Sequence, residues 1–181
     1  MNRRDFSRKG LVTAVAIGAA GLTGYCLLAS KKGRTLNNYY RMGHCAPSVM
    51  QTLIDINRVD FPDLVLYTGA LSGGIAGPGM ECGVLTAPLI YMGYERKIPA
   101  GLSEKIDLII KGQTYINRFD EFNGTCICGN IRQGGAPACR KTVANFYRIF
   151  SGSVEKPDFI SDETRKSYSL LLSGFESENF H

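Results

Sequence analysis

Three stretches of this 181-residue chain each set a cysteine into an apolar stripe of helical spacing, and that pattern limits the fold more than any other feature. Cys45, Val49, Leu53 and Ile56 recur within a segment that reads as one helix from Leu36 to Asn57. Cys82, Leu85, Leu89 and Met92 repeat the spacing in a helix opening around Met80, and Cys139, Val143, Phe146 and Phe150 repeat it after Pro137. Residues three and four apart share one face of an α-helix, so the spacing directs each of these cysteines towards the interior. Helices of a small bundle have a single core to face.

The intervening residues extend the same reading. Asp60 and Pro62 suit a helix start, Asp as a cap and Pro in the first turn, with the helix running to about Ser72. SGGIAGPG, residues 72–79, is a turn by composition, and Pro88 should kink the helix that follows it. A longer helix is expected from Ser103 through Phe122, closed by Asn123 and Gly124 as a left-handed terminus. TCICGNIRQGGA then reads as a Gly-rich loop carrying Cys126 and Cys128, next to the helix of Cys139 and able to fold over the same interior. A last helix is expected from a Ser161 cap through Leu172. No run alternates with strand period. The fold class expected is all-α, a small bundle of about five to six helices after an N-terminal signal or anchor helix.

That N-terminal segment reads as an address. MNRRDFSRKG is basic, and Leu11 to Ser30 carry no charge. Arg3 and Arg4 followed by Phe6 and Lys9 resemble a twin-arginine export signal, and the moderately hydrophobic VAIGAAGLTG suits that route. A retained membrane anchor is the alternative, since about 20 apolar residues span a bilayer. Residues 1–30 are therefore set apart from a cysteine-containing helical redox domain at 31–181, placed in the periplasm or on the outer face of the cytoplasmic membrane. Cys26 falls in the signal and is excluded from the chemistry. Of the net charge of +5, residues 1–30 supply +3, which leaves the body near balance. With no Lys/Arg stripe interleaved with aromatics, nucleic acid is not an expected partner.

Six cysteines beside two histidines and no tryptophan need a chemical account. Cys45, Cys82, Cys128 and Cys139 are the redox or metal-ligand candidates, with Cys126 as an additional one. Their wide spacing matches neither a zinc ribbon nor the ferredoxin patterns. With no C-x-x-C-H, c-type haem attachment is not expected. Cys82, expected in the first turn of its helix, should feel the macrodipole and free N–H groups that favour a thiolate. His44 beside Cys45 could supply a nitrogen ligand or simply be solvated. Glu81 could move protons or simply suit the helix dipole.

At these residues the chain resembles the C-GCAxxG-C-C family of redox-active proteins, itself related to the non-haem part of split-Soret cytochromes. HCAPSVMQTL is similar to the family's first cysteine helix, and LSGGIAGPGMECGVLTAPLIYMG to its Gly-rich turn and central motif. FDEFNGTCICGN resembles the third-cysteine segment and PACRKTVANFYRIF the fourth. Val84 stands where the family has Ala and Ala87 where it has Gly, and the offset from Gly124 makes Cys128 the family cysteine rather than Cys126. The resemblance implies a class, redox activity, and no particular reaction.

Three uses of the cysteines stay open at this level. One is electron transfer through an iron–sulfur cluster on Cys45, Cys82, Cys128 and Cys139. Another is thiol–disulfide exchange with a partner's thiols. The third is a zinc or disulfide staple in a periplasmic accessory protein. No triad, phosphate loop or carboxylate pair points to turnover of a small substrate. The expected partner is a redox protein, with a second copy of the chain as a further candidate and membrane contact through residues 11–30 if the signal is retained.

Overall fold

A computed structural model describes residues 30–96, 101–155 and 166–170. The twin-arginine segment and Cys26 lie outside the described residues, as does most of the last expected helix, of which 166–170 are helical. The described body is all-α, as its spacing predicts. It comprises α1 (Lys31–Met42), α2 (Cys45–Asn57), a 3-10 helix (Pro62–Leu71), α3 (Gly83–Arg96), α4 (Leu102–Asn123), α5 (Cys128–Gln133) and α6 (Gly135–Glu155). None of the described helices is long and apolar enough to cross a membrane.

The first difference from the sequence reading bears on the site. The helix expected from Leu36 to Asn57 is two helices, because Gly43 takes a left-handed φ of 68° and its N–H closes α1 on the Tyr39 carbonyl at 2.9 Å. A left-handed residue after the last turn is the commonest helix stop. The chain restarts with His44 as an extended cap, so Cys45 becomes the first residue of α2. Two further differences concern type. Pro62–Leu71 winds as a 3-10 helix in which only Leu64 and Thr68 are buried, and the loop expected after Gly124 contains α5.

The central layer is α2, which packs against α1, α3, the 3-10 helix and α6; α6 also supports α1, α4 and α5. The stripes read from sequence do face this core: Val49, Leu53, Val143 and Phe146 are fully buried, and Leu85, Met92 and Phe150 nearly so. Tyr91, Tyr115 and Phe150 meet edge to face at its centre, an arrangement their ring quadrupoles favour. Buried polar groups are paired across helices. Asn38 Nδ2 donates to Thr52 Oγ1 at 3.1 Å and to Asp55 Oδ2 at 3.2 Å, joining α1 to α2. Thr142 Oγ1 donates to Asn123 Oδ1 at 2.7 Å, tying the end of α4 to α6.

The element that sets the site is short and not helical. Residues 79–82 run antiparallel to 126–129: Cys82 N–H donates to the Cys126 carbonyl at 2.9 Å, Cys128 N–H to Met80 at 2.7 Å and Gly129 N–H to Gly79 at 2.8 Å, with Glu81 opposite Ile127. This clasp joins the segment before α3 to the segment before α5. It therefore brings Cys82 and Cys128 to one place despite 46 positions of chain between them.

Candidate functional site

Each candidate cysteine sits at or near the amino end of a helix. Cys45 and Cys128 are the first residues of α2 and α5, and Cys139 lies in the second turn of α6. Cys82 is not in the first turn of α3, as its spacing suggests, but precedes it, its carbonyl accepting from the N–H groups of Leu85 (2.8 Å) and Thr86 (3.0 Å). Three of the four open into one cavity of about 460 Å³, lined among others by Tyr39, His44, Cys45, Ser72, Gly73, Gly77, Cys128, Arg132 and Cys139. Cys82 is buried and does not line the cavity, but lies close enough to Cys45 and Cys128 to feel their charge. A larger cavity of about 620 Å³ beside Tyr91 and Tyr94 carries no cysteine.

Bare glycines let the segments close to this degree. A Cβ added at Gly83 would lie 2.7 Å from the Leu71 carbonyl oxygen, 2.9 Å from Ala46 Cβ and 3.2 Å from Cys45 Sγ. Opposite it, residues 73–77 form a left-handed turn, with φ of 74° and 76° at Gly73 and Gly74, 50° at Ile75, 61° at Ala76 and 105° at Gly77. Each non-glycine in that region costs about 1–2 kcal/mol, so Ile75 and Ala76 store strain at the lip of the cavity. Ala76 N–H to Ala70, Gly79 N–H to Gly73 and Met80 N–H to Gly74 hold the turn in place.

The electrostatics differ from the expectation for a helix start. Burial pushes the Cys82 thiol up to about 12; the N–H groups of Val84 and Leu85 pull it down but do not prevail, and Cys45 and Cys128 add to the rise. Burial also raises Cys128, with Cys45 and Cys139 adding to it and Arg132 opposing it through charge and a hydrogen bond. Cys139 is raised by burial and by Cys45, and Arg132 again opposes. Cys45 thus acts on the other three. Desolvation outweighs the dipole here because Cys82 and Cys128 are buried and Cys139 half-buried.

Cys126 stands apart. Its thiol points to the Ile116 carbonyl at 3.9 Å and is pushed up to about 11 by burial, Asp120 and Glu81. His44 is exposed on the cavity wall, and Glu81 belongs to the clasp and faces the surroundings of Cys126. Sequence reasoning missed Tyr39, Ser72 and Arg132, which carry no motif and reach the cavity only through the packing of α1, the left-handed turn and α5.

A protonated thiol is a weak nucleophile and a weak ligand, so what this set can do depends on a cation or an oxidant that takes the protons away. As they stand, the five described thiols are free, and among the described residues no three His, Cys, Asp or Glu side chains gather round a single metal-ion position. The donor chemistry nevertheless suits a thiolate-held iron–sulfur cluster. Three soft sulfur donors line a cavity whose wall holds no carboxylate, Cys82 is buried close enough to Cys45 and Cys128 to feel their charge, and Arg132 is at hand to offset thiolate charge.

The raised thiols have a consequence for stability. Cys82 in the unfolded chain ionises near its ordinary 9.0 and in the folded chain only near about 12. Between those values the folded state holds the extra proton, so stability must fall as pH rises. Cys126, raised to about 11, acts in the same direction. The urea midpoint is expected to drop steadily from about pH 9 upwards and to drop less in Cys82→Ser; an alkaline limb identical in the two proteins would contradict this account.

Residues 43–152 match the model of a family described as "Putative redox-active protein (C_GCAxxG_C_C)". The matched segment begins at the glycine that ends α1 and closes within α6, so it contains the clasp, all four cysteines and every residue lining their cavity except Tyr39. No curated protein and no solved structure matches the chain.

Proposed function

The chain belongs to the C_GCAxxG_C_C family of redox-active proteins, and from that footing we propose that it is an exported electron-transfer protein in which Cys45, Cys82, Cys128 and Cys139 hold an iron–sulfur cluster. The observation that carries the reading is the gathering of the four cysteines, three lining one cavity and the fourth, Cys82, buried and close enough to Cys45 and Cys128 to feel their charge. When bound, the cluster would supply one-electron transfer. The chain's own part is to present four sulfurs from three helix starts and the clasp, to keep carboxylates off the wall, and to set Arg132 beside Cys128 and Cys139. Residues 1–30 support the export part through Arg3, Arg4 and the uncharged stretch that follows. Cofactor insertion before translocation is compatible with the twin-arginine route, which carries folded proteins. The electron donor or acceptor would be a separate redox protein.

The test is expression in the cytoplasm and purification without oxygen. The expected protein is brown, with iron and acid-labile sulfide in similar amounts, and loses that colour when any one of the four cysteines becomes Ser; Cys126→Ser keeps it. A colourless protein free of iron would sink the reading. One observation favours a second: Arg132 opposes the rise of both Cys128 and Cys139, as thiol–disulfide exchange would require of an attacking sulfur. That protein would be colourless and titrate reversibly with a dithiol.

A further inference from the structure

The cavity has a second wall that the cysteines do not use. Ser72 Oγ is the one buried side-chain oxygen or nitrogen among the described residues that lacks a hydrogen-bond partner. Ser72 is among the residues that line the cavity, beside Gly73 and Gly77. Among the described residues, neither glycine's N–H donates to a backbone carbonyl, while neighbouring N–H groups at Ile75, Ala76, Gly79 and Met80 all do. Arg132 also lines the cavity, with Nη1 donating to the Gly77 carbonyl at 3.2 Å. A buried hydroxyl without a partner costs free energy, and proteins retain such groups where something else satisfies them.

We propose that Ser72, Gly73, Gly77 and Arg132 form a binding site for the oxyanion group of a small molecule, a carboxylate or a sulfate-like anion, seated against Cys45, Cys128 and Cys139. The charge selects the sign: Arg132 lines the wall, and no Asp or Glu does. The volume, about 460 Å³, is larger than an inorganic oxyanion needs and leaves room for an uncharged remainder beside the thiols. The inference goes beyond electron transfer and concerns the metal-free, reduced chain, so it stands or falls separately from the cluster.

The site can be read by alkylating the reduced, chelator-treated full chain with iodoacetate, an anion, and with iodoacetamide, its neutral counterpart, and following each cysteine by peptide mass spectrometry. A thiol's own ionisation affects both reagents alike, so their rate ratio reports anion binding. At Cys45 and Cys139 the iodoacetate-to-iodoacetamide ratio is expected to exceed that of the same cysteine in the urea-unfolded chain by about tenfold, the worth of a charge-assisted hydrogen bond. Sulfate or acetate should remove the excess where chloride at equal ionic strength does not, and the stronger of the two competitors tells a tetrahedral oxyanion from a carboxylate. Arg132→Met and Ser72→Ala should each reduce the excess. A native ratio no higher than the unfolded one overturns the proposal, as does an excess that chloride removes equally well or that survives Ser72→Ala. Because Ser72→Ala changes one buried oxygen, the test does not depend on Arg132→Met folding.

Discussion

Gly74→Ala is expected to destabilise the protein by about 2–5 kcal/mol, combining a left-handed backbone penalty of about 1–2 kcal/mol with an overpacking cost of about 1–3 kcal/mol. The position is buried, with φ of 76°. A Cβ there would lie 2.6 Å from Met80 N, 2.7 Å from Cys128 Cβ and 2.7 Å from the carbonyl carbon of Gly79. All three belong to the clasp, and two are backbone atoms that no rotamer change can clear. The methyl would therefore force residues 79–82 away from 126–129, and Cys128 away from the other thiols. Gly43→Ala serves as the control, since Gly43 has a similar φ of 68° and open space where its Cβ would go. Its cost should stay near the backbone penalty alone, about 1–2 kcal/mol. Urea unfolding followed by far-ultraviolet circular dichroism measures both. Equal losses in the two variants would show that close approach at Gly74 is not what holds the clasp.

Tyr115→Phe is expected to cost about 1–3 kcal/mol, the penalty for stranding a buried acceptor. The cause is Pro88. In α3 the Val84 carbonyl should accept from the N–H of residue 88, but proline has none. The Tyr115 hydroxyl, from the fully buried ring on α4, supplies the missing donor at 2.8 Å. Burial raises this phenol well above its ordinary range, with Cys82 and Cys126 adding to the rise, so it stays protonated and able to donate. Pro88→Ala would return an N–H to the carbonyl. The loss caused by Tyr115→Phe should then be smaller in the Pro88→Ala background than in the natural sequence. Additive losses in that double-mutant cycle would mean that the hydroxyl and the proline are not coupled.

Both results turn on contacts that local sequence pattern cannot show. The stripes Cys139, Val143, Phe146 and Phe150, and the Gly124 stop of α4, were legible because helical spacing and a left-handed cap are local signals. The break at Gly43 was not, because apolar residues keep helical phase across it and a lone glycine is tolerated in a helix at about 1 kcal/mol. α5 was hidden by its six-residue length and the glycines around it. The 3-10 winding of Pro62–Leu71 has no signature in spacing that an α-helix would lack over ten residues.

The candidate site divides along the same line. By itself the sequence named the candidate cysteines and the apolar stripes that flank them, because burial of a stripe depends only on its period. Only the tertiary structure decided that the segments of Cys82 and Cys128 join in a three-bond clasp, that Ser72 and Arg132 line the cavity of Cys45, Cys128 and Cys139, and that Cys82, Cys128 and Cys139 are raised rather than lowered. The helix dipole that favours a thiolate is a property of a few consecutive residues. The desolvation that overrides it is summed over every element packed around the sulfur, and no single stretch of the chain contains that sum.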